Sequence, residues 1–248
     1  TPGSVVTFFA IDRLGHRYDG QNQLGGIDLA IPTGSLAFWE QRLRMAGCVV
    51  TATLTSLTLV DPADTPVRLL VTDQTLPTQL VVPNDVPGEN QITGLINVDL
   101  PVADHEAEKT FFQTMLGVTP ENNQFKLEAG NTLTLKPSLT DSIKRFGRGS
   151  MDHFALTVDH EETLPRLGTI AAQHGYEVEE FADRGWFKSL YVRDPADNRI
   201  EFATKEPGFA LDEPLAHLGE GLGLPPKFEA QRQAIETYFK TKGVDFHD

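Results

Sequence analysis

The sequence predicts an α+β fold that is built from tandem βαβββ units and ends in a C-terminal helix. Three observations predict it: a hairpin motif that occurs twice, strand and helix patterns that recur in the same order, and an ordinary globular composition. The chain has 248 residues, of which 40% are apolar and 23% charged. These values are typical of a folded protein with a substantial core.

The repeated hairpin motif lies at residues 55–72 and 188–204. The two sequences, TSLTLVDPADTPVRLLVT and KSLYVRDPADNRIEFAT, share an Asp-Pro-Ala-Asp tetrapeptide. Proline and aspartate favour a turn, and the alternating apolar residues on both sides are typical of strands. Each segment is therefore a predicted hairpin, and the recurrence indicates a repeat. Two similar hairpins of independent origin would give the same pattern.

The segment before the first hairpin completes a unit over residues 26–92. Residues 26–31 (GIDLAI) alternate as a strand does. A helix follows, which we expect Ser35 to cap and Gly47 to end. Its apolar face consists of Leu36, Trp39, Leu43 and Ala46.

A shorter copy of the pattern occupies residues 93–150. Its first strand is 97–102 (NVDLPV), Asp104 is the expected cap, and Gly117 is the expected helix end. The apolar helix face consists of Ala107, Phe111 and Met115. Strands 124–129 and 132–137 follow, joined at Gly130-Asn131.

The last unit covers residues 151–206. Residues 153–158 (HFALTV) form its first predicted strand. Asp159 is the expected helix cap, with Glu162 at the capping-box position, and Gly175 is the expected stop. The helix face consists of Leu164, Leu167, Ile170 and Ala171.

The two ends of the chain lie outside these units. Residues 3–11 (GSVVTFFAI) resemble the last strand of a further unit, so residues 1–25 are interpreted as the remnant of a first unit. Residues 26–92, 93–150 and 151–206 are then the second, third and fourth units. Such a remnant would leave sheet edges open, and we expect it to pair with another unit or subunit, or to be poorly ordered. Residues 207–248 form a tail in which Pro225-Pro226 opens a helix. Its apolar side consists of Phe228, Ile235, Tyr238 and Phe239.

Charge and cysteine content restrict the classes of partner. The formal net charge is −14, which argues against nucleic acid and anionic membranes because both require a basic surface. The single cysteine, Cys48, cannot form a disulfide within the chain. The sequence contains no apolar run long enough to span a bilayer. A cytoplasmic location is expected, and self-association into a homo-oligomer is possible.

His153 and Glu201 are the best candidates for a metal site. They lie on the first and last strands of the final unit, which can present side chains on one face of a sheet. Two histidines and one carboxylate form a common site for non-haem iron. If Glu201 faced the interior it would need a partner, whereas it would face water if Ile200 and Phe202 faced the core. A structural role for His153 is the other alternative.

The repeat provides an internal control for this interpretation. Aligning the units places Gly26 opposite His153 and Arg68 opposite Glu201, and it places Asn97 at the histidine position of the third unit. Only the last unit carries both a histidine and a carboxylate. We therefore expect it to be the functional copy.

The segment 182–195 (ADRGWFKSLYVRDP) adjoins the Glu201 strand. Tyr191 lies opposite Glu201 across the predicted turn, where its hydroxyl could donate a hydrogen bond to a bound oxygen atom. Arg184 could offset negative charge on a substrate. The structural alternatives are a half-buried strand aromatic for Tyr191 and a solvated loop charge for Arg184.

Several segments together resemble a known family. They are SMDHFALTV, DRGWFKSLYVRDPADNRIEFAT, EPGFALDEPLAHLGEGLGLPP and GSLAFWEQRLRMAG. They resemble ring-cleaving extradiol dioxygenases of the hydroquinone type, which belong to the vicinal oxygen chelate superfamily of glyoxalases, bleomycin resistance proteins and dioxygenases. The resemblance implies four βαβββ units, with most of the first one missing here.

The same resemblance implies a set of functional residues. An Fe(II) or Mn(II) ion would be held by His153 and Glu201, and Tyr191 and Arg184 would act near the substrate, beside Trp186 and Phe187 as substrate-binding residues. The family's third ligand, a histidine on the first strand of the first unit, is absent from this sequence. Asp152 stands where the family often has a second-shell histidine, and it is a poorer acid at neutral pH.

The expected function is therefore metal-dependent ring cleavage of a hydroquinone or catechol-like aromatic by dioxygen. The missing ligand and Asp152 leave open a protein that binds a small aromatic compound without turnover. A glyoxalase-like isomerase or lyase on the same fold is a third possibility, because the fold alone does not determine the reaction.

Overall fold

The computed structural model of the chain describes residues 4–9, 11, 13–138, 140–244 and 246. Across these residues the strands form a seven-stranded and a four-stranded sheet. No helix in the described ranges is long and apolar enough to cross a membrane.

The helices and strands follow the predicted order. The first set is β1 (Ile27–Pro32), α1 (Leu36–Met45), β2 (Thr51–Ala52), β3 (Ser56–Val60) and β4 (Pro66–Thr72). The second is β5 (Gly94–Val102), α2 (His105–Leu116), β6 (Gln124–Lys126) and β7 (Thr132–Pro137). The third is β8 (His153–Val158), α3 (Thr163–Gln173), β9 (Val178–Asp183), β10 (Lys188–Arg193) and β11 (Arg199–Thr204), and helix α4 (Arg232–Thr241) follows in the tail.

Sheet topology confirms the α+β fold and shows the βαβββ pattern in two units, whereas the unit at 93–150 has two strands after its helix, β6 and β7, among its described residues. The four-stranded sheet has the order β8-β11-β10-β9, and half of the larger sheet repeats it as β1-β4-β3-β2. In each case the first strand runs parallel to the last. Strands β5, β7 and β6 form the other half of the larger sheet. The two halves are connected by antiparallel pairing of β1 with β5. The unit boundaries given above stay an interpretation of this pattern.

The main core lies between the third and fourth units. It includes Phe111 and Phe112 of α2, and Ile200 and Phe202 of β11, all at most 1% exposed. A smaller core around Ile31 and Leu57 belongs to the second unit. Burial of these apolar faces drives the packing of helices on sheets.

Helix caps agree with the sequence only in part. Asp104 accepts a hydrogen bond from the Ala107 amide, and Gly117 ends α2 in the left-handed conformation, as predicted. Ser35 precedes α1 but does not cap it, because its hydroxyl donates to the Glu89 carbonyl instead. The Asp159 cap is also wrong. Helix α3 begins only at Thr163, and the Asp159 carboxylate forms an ion pair with Lys205.

The N-terminal segment differs from the predicted strand. Residues 3 and 10 lie outside the described residues, and residues 4–9 and 11 have no strand geometry. Phe8 and Phe9 are 83% and 67% exposed. Further along, His16, Tyr18 and Gln21 form isolated bridges with residues 143–148, which precede β8. This part of the segment therefore pairs within the chain.

Candidate functional site

Strand β11 places Glu201 on the side of the four-stranded sheet that faces away from the main core. Its neighbours Ile200 and Phe202 point into that core, and successive strand residues point to opposite faces. Even so, Glu201 is only 3% exposed. Neither alternative from the sequence described this arrangement, in which the carboxylate is buried on the outer face and needs hydrogen-bond partners.

His153 is the first of these partners. Strand β8 runs parallel to β11 and places His153 beside Arg199. The His153 Nε2 atom lies 2.9 Å from Glu201 Oε2, and its Nδ1 atom lies 2.7 Å from Asp152 Oδ2. The imidazole thus bridges two carboxylates, and the predicted pair of ligands is brought together.

Two hydroxyl groups bind the other oxygen of the Glu201 carboxylate. Tyr191 donates a hydrogen bond of 2.9 Å to Oε1, and Ser189 donates a short one to the same atom. Both donors lie on β10, where Tyr191 pairs directly with Glu201 in the antiparallel register. The two carboxylate oxygens therefore have different environments.

These contacts shift the protonation equilibria of the pair. Burial alone would raise the pKa of Glu201, but hydrogen bonds from His153, Ser189 and Tyr191 outweigh it and lower the pKa. Burial alone would lower the pKa of His153, but its bonds to Glu201 and Asp152 raise it. Each group thus favours the charged form of the other.

Tyr191 is held from several sides. Its hydroxyl accepts a hydrogen bond of 3.3 Å from Arg184 Nη2. The Arg199 guanidinium carbon lies 3.9 Å from its ring centroid, which is a favourable cation–π geometry. Burial, as the largest cause, raises the pKa of Tyr191. The phenol therefore stays neutral at physiological pH and can donate a hydrogen bond.

Asp152 contacts His153 and Arg199 through hydrogen bonds. Its Oδ2 atom accepts from His153 Nδ1 and from Arg199 Nη1, the latter at 3.2 Å. Burial would raise the pKa of Asp152, but these two partners lower it. An ionised Asp152 holds the proton on Nδ1, which leaves the Nε2 lone pair of neutral histidine for a ligand.

Trp186 and Phe187 contact the C-terminal tail. Trp186 Nε1 donates to Asp212 Oδ1 at 2.7 Å, and both aromatic rings pack against Phe209. Their predicted contact with a substrate stays a prediction.

Sequence reasoning missed Ser189 and Arg199. A signal existed for both, because strand alternation places Ser189 on the same face as Tyr191, and Arg199 on the same face as Glu201. Without the strand register, neither could be assigned a partner.

The geometry of the pair fits a divalent metal ion. Two ligands at right angles, each about 2.1 Å from an ion, are about 3.0 Å apart. The Nε2 and Oε2 atoms lie 2.9 Å apart, which is also the length of a direct hydrogen bond, and Asp152 supplies the carboxylate that usually binds the second ring nitrogen of a ligating histidine. Over the described part of the chain, no group of three or more His, Cys, Asp or Glu side chains is arranged to hold a metal.

Comparison with known proteins establishes the family. The sequence profile of the Glyoxalase/Bleomycin resistance protein/Dioxygenase superfamily matches residues 94–202. "Putative ring-cleaving dioxygenase MhqE" of Bacillus subtilis is 30% identical over 244 residues, which cover 94% of this chain and 80% of that protein. The chain belongs to this superfamily.

Other members of the superfamily show the same likeness. "Putative ring-cleaving dioxygenase MhqA" of Bacillus subtilis is 29% identical over 259 residues, covering 96% of this chain and 82% of that protein. The crystal structure of a "putative dioxygenase" from the same species has a TM-score of 0.80 at 25% identity, covering 95% of this chain and 79% of that one. Glyoxalase I of Zea mays, with a TM-score of 0.53 at 13% identity over 79% of this chain and 71% of its own, shares the fold alone.

Proposed function

We propose that this chain is a metal-dependent dioxygenase that opens the ring of a hydroquinone or a catechol-like aromatic. The observation that carries the proposal is the contact of 2.9 Å between His153 Nε2 and Glu201 Oε2. Asp152 binds the other ring nitrogen of His153. Similarity to the two Bacillus subtilis proteins named as ring-cleaving dioxygenases supports ring cleavage as the reaction. The substrate class comes from the sequence resemblance.

His153 and Glu201 would hold Fe(II) or Mn(II) through Nε2 and Oε2. A bound ion of this kind would supply the binding of dioxygen and the transfer of electrons from the aromatic ring. Asp152 contributes by keeping the Nδ1 proton in place, and Tyr191 donates a hydrogen bond to the carboxylate. The overall reaction breaks the ring bond beside a hydroxylated carbon and adds both atoms of dioxygen to the product.

Tyr191 and Arg184 are the groups that would act on the substrate. The neutral Tyr191 hydroxyl, 2.9 Å from Glu201 Oε1, can donate its proton in a hydrogen bond to a substrate oxygen instead. The Arg184 side chain is 41% exposed, so its charge can favour the anionic form of a phenolic substrate. We place Trp186 and Phe187 at the rim, where the tail would limit access to the ring.

Binding without turnover is the second candidate function. It is favoured by the finding that, among the described residues, no group of three or more His, Cys, Asp or Glu side chains could hold a metal ion, because His153 and Glu201 alone would hold an ion less tightly than three ligands. Such a protein would sequester an aromatic compound on the same face of the sheet.

Oxygen uptake tests the proposal. The chain is loaded anaerobically with excess Fe(II) and mixed with a panel of hydroquinones and catechols. We expect the parent chain to consume oxygen. The rate should fall by at least about 100-fold in His153→Ala and in Glu201→Ala, because each variant lacks one of the two proposed metal ligands. Arg68→Ala is the matched control at the equivalent position of the second unit and should retain activity. Iron bound at His153 without oxygen uptake on any of these compounds would reject the dioxygenase and favour the binding protein.

A further inference from the structure

Ser189 is a buried polar residue with one specific partner. It is 1% exposed, lies on β10, and pairs with Ala203 in the antiparallel register. Its hydroxyl donates to Oε1 of Glu201. Tyr191, two residues further along the same face of β10, donates to the same atom. Nothing in the reaction proposed above requires a serine to touch the substrate.

We infer that Ser189 is a positioning residue that fixes the Glu201 carboxylate so that only Oε2 is presented to a metal ion. This inference rests on the proposed function. The two hydroxyl donors occupy Oε1, and His153 Nε2 is the described partner of Oε2. A carboxylate held in this way would bind an ion through one oxygen and leave the remaining coordination positions for substrate and oxygen.

The presence of two donors on one oxygen has a physical reason. If the Tyr191 hydroxyl turns to donate to a substrate, Glu201 Oε1 loses one of its bonds while it is still buried. An unsatisfied buried carboxylate oxygen is costly, and the side chain would rotate to regain a partner. Ser189 has a short side chain on a strand that is paired on both sides, so it keeps the carboxylate in place throughout.

The second unit provides a matched position without this function. Ser56 pairs with Leu70 in β3 and β4 as Ser189 pairs with Ala203, and both precede an Asp-Pro-Ala-Asp turn by the same number of residues. The Ser56 hydroxyl, however, contacts Thr53 Oγ1 at 2.8 Å, and Arg68 occupies the position of Glu201. Removal of the hydroxyl at Ser56 therefore controls for a purely structural effect.

The test is the equilibrium dissociation constant for Co(II), which is stable to air and is measured by competition with a chromophoric chelator. Ser189→Ala should weaken Co(II) binding by about 10-fold or more, as the loss of second-shell partners usually does. Ser189→Gly, which also removes the hydroxyl and introduces no metal ligand, should do the same. Ser56→Ala should leave the constant unchanged, and Glu201→Ala should abolish binding.

Two results would overturn the inference, and they are distinguishable. If Glu201→Ala abolishes binding but both Ser189 variants bind as the parent does, Ser189 has no positioning role and the metal site stands. If the parent and Glu201→Ala bind Co(II) equally, or neither binds it, the proposed metal site fails and the inference fails with it. Thermal unfolding of each apoprotein identifies a misfolded variant, and Ser189→Gly decides the outcome if Ser189→Ala does not fold.

Discussion

The hairpins of the second and fourth units share their turns and differ in the residues on one face. In both turns the first aspartate accepts two backbone hydrogen bonds. Asp61 Oδ1 binds the amides of Ala63 and Thr65 at 2.8 Å, and Asp194 Oδ1 binds the two equivalent amides at 2.9 and 2.7 Å. The fourth residue adopts a left-handed conformation in each, with φ of 64° and 60°.

The two units differ in charge on the sheet face that carries Glu201 in the fourth unit and Arg68 in the second. Where the fourth unit has Glu201 paired with His153, the second has Arg68 and Gly26, and Arg68 forms a bidentate ion pair with Asp28 on β1. The second unit therefore satisfies its charges internally. The fourth pairs its carboxylate with a titratable histidine whose other nitrogen is held by Asp152.

The two units therefore share the geometry of their turns and differ in the charged residues on the outer face of the sheet. The two turns also differ in burial. Asp194 is only 5% exposed, and burial raises its pKa to about 6, whereas Asp61 is half-buried.

The largest expected effect is on folding, and it comes from the buried turn. Asp194→Ala leaves the amides of Ala196 and Asn198 without their acceptor in a buried environment, which should lower the free energy of unfolding by about 2–3 kcal/mol. Asp61→Ala makes the same change at a half-buried turn and should lower it by about 1 kcal/mol. Urea unfolding of both apoproteins measures the difference. Equal losses would mean that the two turns contribute alike and that burial is not what distinguishes them.

A smaller effect, which depends on pH, comes from the helix that packs on this turn. Glu108 is 1% exposed, and neither of its carboxylate oxygens has a hydrogen-bond partner among the described residues. Burial first, and then the charge of Asp194, raise its pKa from 4.5 to about 9. Between these values the folded chain binds a proton that the unfolded chain does not bind, so stability falls as the pH rises.

Glu108→Gln removes this titration and should therefore stabilise the protein at high pH. Already at pH 6 we expect a gain of about 2 kcal/mol in the free energy of unfolding, because the linked titration contributes about 1.4 kcal/mol for each pH unit above 4.5. The gain should shrink towards pH 5, where the native glutamate is also neutral. Glu106→Gln, on the exposed side of the same helix, is the control. Parallel pH profiles for Glu108→Gln and the parent would contradict the account.

Much of the fold could be predicted from the sequence because it depends on local patterns. The repeated Asp-Pro-Ala-Asp turns, the strand alternation around them and the Asp104 cap are all local, and the structure confirms them. Caps that involve distant residues were wrong. Ser35 donates to Glu89 and Asp159 pairs with Lys205, and these contacts depend on tertiary packing that overrides a local preference.

The pair His153 and Glu201 could be predicted from the sequence, whereas the residues that contact this pair could be predicted only in part. His153 and Glu201 stand out because a histidine and a carboxylate occupy equivalent strand positions in one unit alone. The roles of Ser189 and Arg199 depend on the register between β10 and β11 and on rotamers, which a single sequence does not specify. The cytoplasmic location and self-association stay predictions.

The location of a bound metal ion tests the central claim most directly. Crystals of the chain are soaked in Mn(II), and anomalous diffraction at the manganese edge locates the ion. The account predicts a peak about 2.1–2.2 Å from His153 Nε2 and Glu201 Oε2, with no peak beside Arg68 and Asp28 of the second unit. Absence of a peak between His153 and Glu201, with these two side chains still in direct contact at saturating Mn(II), would contradict the assignment of a metal centre to the fourth unit.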